Sequence, residues 1–154
     1  MKIRPFVALC CVAIVLMLSG ISMGQVKRPF RDGPVWDIAF IKMKPGMETA
    51  YLNYIATDWK KNQEASKKAG IIRSYKVITS EPHNPGDFNI MLMTEYKDLA
   101  TMEANTQKAD DLAQTVIGPD EVQMEGYRKR LEIREVLGNR LSREIILEPK
   151  GNRP

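Results

Sequence analysis

Residues 35–43 (VWDIAFIKM) read as an extended segment, and Pro45-Gly46 ends the run. Successive side chains of a strand point to opposite faces, so a period of two in the pattern marks one. The period then lengthens. Met47, Tyr51, Ile55 and Trp59 recur about one helical turn apart, which predicts a helix over 47–68 that stops at Ala69-Gly70. Residues 71–80 (IIRSYKVITS) return to β-branched alternation. The segment 81–87 (EPHNPGD) carries two prolines and cannot continue a ladder, so 88–96 (FNIMLMTEY) forms the second arm of a hairpin. Asp98 is placed to cap a helix over 99–115, and Gly118-Pro119 interrupts it. Asp120 is placed to cap a further helix over 120–137, which Gly138-Asn139 stops, and 142–147 (SREIIL) is a short last strand.

That order, strand-helix-strand-strand-helix-(helix)-strand, predicts an α+β domain of the ferredoxin-like split βαβ type. Right-handed crossovers put the first and third strands at the centre of a four-stranded antiparallel sheet, with the helices on one face. The helix at 120–137 is an addition before the last strand. Strand by strand, Trp36, Ile38 and Phe40 with Phe88, Ile90 and Leu92 make a bulky set expected under the helices. The opposite set is Val35, Asp37, Ala39 and Ile41 with Asn89, Met91, Met93 and Glu95. A face so apolar needs a cover, and a second copy of the same sheet is the simplest one.

The stretch PVWDIAFIKMKPGMETAYL at 34–52, followed by the hairpin and FNIMLMTEY, resembles the dimeric α/β-barrel superfamily. The resemblance covers 35–147 and rests on element order and on the strand-Lys-x-Lys-Pro-Gly-helix opening. It implies two ferredoxin-like sheets paired face to face as a dimeric α/β barrel, with a ligand cavity inside. It carries no catalytic signature. Superfamily members include haem proteins, cofactor-free monooxygenases and lactone isomerases.

The ends of the chain change the picture of where such a domain works. Lys2 and Arg4 precede an uncharged apolar run over 6–18 (FVALCCVAIVLML), and small residues follow through Gly24. This layout predicts a signal peptide over 1–24, cleavage near Gln25 and export to a periplasmic or extracellular compartment. The uncharged stretch reaches Met23, so the alternative is an uncleaved helix that anchors the protein to the membrane. Beyond it lie a lead-in over 25–33, one domain over 34–148 and a flexible tail over 149–154. Cys10 and Cys11 both fall inside the apolar run, which leaves a mature chain without thiol chemistry.

Of the formal charge of +4, Lys2 and Arg4 contribute two, leaving +2. Arg128-Lys129-Arg130 is interleaved with Glu125, Glu132 and Glu135 as on a solvated helix face, so nucleic acid is not an expected partner. The one histidine, His83, sits in EPHNPGD and reads as an exposed loop residue. With no second histidine and no acids at ligand spacing, neither metal nor cofactor is expected, and haem is set aside. Gly-x-Ser-x-Gly and glycine-rich phosphate loops are missing from the sequence. The acidic pairs Asp110-Asp111 and Asp120-Glu121 fit helix starts and solvated faces. Tyr51, Tyr54 and Trp59 read as core packing, and Met43, Met91 and Met93 as deformable packing suited to an apolar ligand.

Asp37 remains, an acid among apolar neighbours. Burying a carboxylate costs several kcal/mol unless it is paired or neutral, so it serves either an ion pair or a site. The expected ligand-binding set is Asp37, Tyr75, Asn89, Met91 and Met93, with Tyr75 and Arg73 dependent on the phase of the second strand. The expected function is an exported homodimer that binds a small, partly apolar or aromatic ligand in a barrel cavity. One alternative is a cofactor-independent isomerase or monooxygenase with Asp37 as general base. Another is a structural dimer that docks a second envelope protein.

Overall fold

The computed structural model describes residues 28–148. The expected signal peptide over 1–24, its cleavage point near Gln25 and the tail over 149–154 lie outside the described residues. Four strands form one antiparallel sheet in the order β2-β3-β1-β4: β1 (Phe30–Met43), β2 (Ser74–Thr79), β3 (Ile90–Tyr96) and β4 (Arg134–Leu147). The first and third strands are central, as the crossover argument requires, and the fold is α+β and ferredoxin-like. Among the described residues five α-helices accompany the sheet: α1 (Glu48–Tyr54), α2 (Lys60–Lys68), α3 (Leu99–Ala104), α4 (Thr106–Val116) and α5 (Asp120–Ile133). Among the described residues no helix is long and apolar enough to cross a membrane.

Local chemistry explains most boundaries. After β1, Met47 N donates to Lys44 O at 2.9 Å across Pro45-Gly46, and Gly46 has φ 79°. Proline followed by a residue at positive φ is the signature of a type II turn, which glycine accepts without strain. Between α1 and α2 the helix loosens into a π turn at Ile55–Trp59. There the Thr57 hydroxyl donates to Asn53 O at 2.8 Å, competing for a carbonyl in the helical ladder. Helix α2 stops where Ile71 N reaches Ser66 O and Gly70 N reaches Lys67 O, a Schellman closure. Asp98 Oδ1 accepts from Thr101 N at 2.7 Å and caps α3.

The core lies between the sheet and the first helical segment. Ile41, Met43, Ile90 and Leu92 meet Tyr51 and Ile55, and Ile90 is fully buried. Directly opposed residues of antiparallel strands share a face. The register Ile41↔Ile90, Ala39↔Leu92 and Asp37↔Thr94 therefore places Asp37, Ala39 and Ile41 on the helix side. Phe40↔Met91, Ile38↔Met93 and Trp36↔Glu95 make up the other face. This reverses the expected phase of β1: Trp36, Ile38 and Phe40 turn away from the helices. The physical reason is volume. The helices bring their own rings, Tyr51, Tyr54 and Trp59, and the sheet beneath them supplies Ala39 and aliphatic side chains.

Three other boundaries differ from expectation. Strand β1 begins at Phe30 rather than after the lead-in, because Phe30, Arg31 and Asp32 pair with Leu147, Ile146 and Ile145. Pro34, which lacks an N–H, sits in the bulge between Asp32 and Val35, and a Cβ on Gly33 would stand 3.0 Å from Glu144 O. Helix α5 ends at Ile133 rather than residue 137, and β4 takes over at once with 14 residues. Gly138 faces Phe40 while Val136 faces Ile41, so Gly138-Asn139 marks a bulge around Leu137 instead of a helix stop. The single helix expected over 99–115 breaks at Asn105, whose Nδ2 donates to Thr101 O at 2.8 Å.

Candidate ligand-binding site

On the helix side of the sheet the described residues line a half-open cavity of about 240 Å³. Its floor is apolar: Ala39 and Ile41 from β1, Leu92 from β3 and Val136 from β4. Its walls are rings, Tyr51 and Tyr54 from α1, Trp59 from the π turn and Tyr127 from α5. Arg134 and Asn139 of β4 complete it. Tyr127 and Asn139 are exposed and stand at the mouth, beside the sheet edge that β4 forms. The π turn belongs to this design, because an extra residue in a helical turn re-aims the side chains after it. Trp59 thereby meets Tyr75 of β2 edge to face, with centroids 5.3 Å apart.

Arg134 dominates the electrostatics. It is 7% exposed, the first residue of β4, and it pairs with Met43 across the sheet. Its guanidinium carbon lies 5.8 Å from the Tyr51 ring centre and 5.5 Å from that of Tyr127. Nε and Nη1 are buried without a hydrogen-bond partner, and among the described residues no carboxylate pairs with it. Burying such a cation costs several kcal/mol. Each cation–π contact returns about 0.5–2 kcal/mol, so two rings do not cover the loss. Arg130 repeats the theme one turn earlier, 4.5 Å from the Tyr54 ring centre and 5.9 Å from that of Tyr127. Burial pushes the Tyr51 phenol up to about 12, against the lowering pull of Arg134, and raises Tyr54 as well. Both phenols stay protonated near neutrality.

A second cavity of about 240 Å³ lies between the π turn, the end of α4 and α5, where Asp58, Lys61, Gln123 and Arg130 contribute. Lys61 Nζ there is already engaged, donating to Val116 O at 3.0 Å.

The residues singled out from the sequence fall into two groups. Asp37 and Tyr75 lie on the helix side, in the row Tyr75-Thr94-Asp37-Leu141. Met91 and Met93 lie on the opposite face, and Asn89 stands just before β3. The five are therefore not brought together on one surface. Asn89 is occupied with the backbone, its Oδ1 accepting from Met43 N at 2.8 Å. Tyr75 donates its hydroxyl to Glu64 Oε1. Arg73 is exposed on the approach to β2. Asp37 is also exposed, yet its inner side rests against the sheet near Tyr96, and the partial loss of water raises its carboxyl above the ordinary aspartate range. His83 is exposed in a loop that Asp87 ties together by accepting from His83 N and Asn84 N, which holds the Asp87 carboxyl low. Among the described residues no group of His, Cys, Asp or Glu converges as a metal site.

Sequence reasoning missed Arg134, Tyr127 and Asn139, and took Arg130 for a solvated charge. A signal was there. Tyr127 and Arg130 are spaced i, i+3, one stripe of α5, and Arg134 follows directly after its last residue.

No protein-family model matches the chain, and no curated protein matches it. Among solved structures it is similar to a dimeric ferredoxin-like protein from an uncultured marine organism. That likeness has 10% identity and a TM-score of 0.49, over 75% of this chain and 90% of the other. The ferredoxin-like assignment rests on the strand order and register described above.

Proposed function

We propose that this domain is an exported, homodimeric binder of a small, partly apolar molecule, held between the sheet and helices α1 and α5. The observation that carries the reading is the cavity with its aliphatic floor and four aromatic walls. Ligand pockets are mostly apolar with a few placed polar groups, and this one has that composition. The site thus moves from the open sheet face, where the sequence suggested it, to the helix face.

The open face is assigned to the homodimer. Ile38, Phe40, Met91 and Met93 form a half-buried apolar strip, with Lys76 and Arg140 in one cross-strand row and Glu95 in the next. A two-fold axis through that strip would bury the apolar residues on their own copies.

The raised carboxyl of Asp37 favours a second reading, an isomerase or monooxygenase without cofactor in which it acts as base. Asp37 shares the helix side with the cavity but lies six residues from Met43, the cross-strand partner of Arg134. That is about 20 Å along the strand, so only an elongated ligand reaches both.

Soaking crystals of the full-length chain in small aromatic acids and lactones tests the binding reading. Ligand density beside Tyr51, Trp59 and Tyr127 is the expected result. A cavity closed by protein side chains and empty of every probe would remove it.

A further inference from the structure

We infer that Arg134 anchors the carboxylate of a small monocarboxylic acid with a single aromatic or alicyclic ring, its ring lying among Tyr51, Trp59 and Leu92. The inference rests on the cavity reading above and deepens it by naming the ligand's chemistry.

The unsatisfied guanidinium is the starting point. Arg134 is more than nine-tenths buried, lines the cavity, and keeps Nε and Nη1 without partners among the described residues. A planar fork of N–H donors matches the two oxygens of a carboxylate, and the pairing is shorter and stronger than a neutral hydrogen bond. The rest of the lining selects the remainder of the molecule. Phosphate would turn further charged oxygens towards Ile41, Leu92 and ring faces, which cannot solvate them. A carboxylate ends in a body that those surfaces cover. Tyr51, whose ring centre lies 5.8 Å from the guanidinium carbon, is kept protonated by its burial and adds no competing charge. The half-open cavity of 240 Å³, the share of about eight water molecules, matches one ring and a short substituent.

The test titrates the full-length chain with benzoate and with benzamide, its uncharged counterpart, by calorimetry. Benzoate should bind at least tenfold more tightly. In Arg134→Met its affinity should fall to that of benzamide, while benzamide itself changes less than twofold. Arg134→Lys, which keeps the charge without the fork, should lie between. If Arg134→Met does not fold, the wild-type ratio decides alone. Equal binding of the two probes overturns the carboxylate and leaves the cavity reading standing. Failure of both to bind overturns both. Inorganic phosphate that displaces benzoate at equal concentration overturns the inference in favour of a bare-anion site.

Discussion

The two faces of the sheet solve opposite problems with similar materials. Under the helices, Ala39, Ile41, Ile90 and Leu92 are small or aliphatic, and the rings come from α1, the π turn and α5. On the other face the strands carry their own rings: Trp36 and Phe40, with Phe88 packed edge to face on Phe40 at 4.9 Å. Charges differ as well. Trp36 donates to Glu144 Oε2 at 3.1 Å and lies under the Lys76 ammonium at 4.8 Å, so the polar groups around Trp36 on the open face have partners. The helix face buries Arg134 with rings alone. A face whose polar groups are satisfied suits a permanent protein contact. One with an unsatisfied buried cation suits a guest that comes and goes.

The largest effect should come from the core of the helix face. Ile90→Ala removes a fully buried side chain and should lower stability by about 2–5 kcal/mol in a denaturant melt. Met93→Ala, half-buried on the other face, should cost the isolated subunit only about 1 kcal/mol. Equal losses would mean the open face is core as well. Next in size is assembly. Met93→Glu should raise the dimer dissociation constant about a hundredfold, or about 2.7 kcal/mol. Light scattering at micromolar concentration should then read the monomer mass, while wild type reads twice that. An unchanged dimer would move the interface elsewhere.

Smaller effects separate the two charged groups of the helix side. Arg134→Met removes an unpaired buried cation and should stabilise the empty protein by about 1–2 kcal/mol. A loss of stability would make Arg134 a structural group. Asp37→Asn should leave stability within about 0.5 kcal/mol of wild type, or slightly above it, because the carboxylate is exposed and water screens it. A carboxyl raised in the folded state favours folding below its unfolded value, and that contribution is lost as pH rises through the raised value. The variant lacks that gain and should therefore lose stability more steeply than wild type as pH falls through that window. A shallower loss than wild type's would give Asp37 a charged partner.

Element order and the Asp98 cap were legible because they depend on short-range chemistry, and strand order followed from the crossover rule. The cap expected from Asp120 is not formed, since Pro119 stands at the N-cap of α5 and no side chain closes it. The Pro45-Gly46 turn, the Ala69-Gly70 stop and the Asp98 cap each declare themselves within a few residues. The phase of β1 was not legible, since both its faces are apolar and only the cross-strand register decides between them. The end of α5 was misread because Gly138 serves a bulge, and a glycine looks the same in either role. Arg134 escaped for a related reason. Placed in a helix it reads as one more solvated cation, and its burial depends on being the first residue of a strand. Asp37 drew attention by standing among apolar letters, whereas its exposure depends on where the helices stop covering the sheet.

The most direct test of the central claim is to ask which face responds to a ligand. Benzoate is titrated into the full-length chain while NMR follows the Arg134 Nε–H, the Trp59 indole N–H and the methyl groups of Met91 and Met93. Saturable shifts at Arg134 and Trp59, with Met91 and Met93 unmoved, are the predicted result. Shifts at Met91 and Met93 with Arg134 and Trp59 unchanged would put the site on the open face and contradict the account.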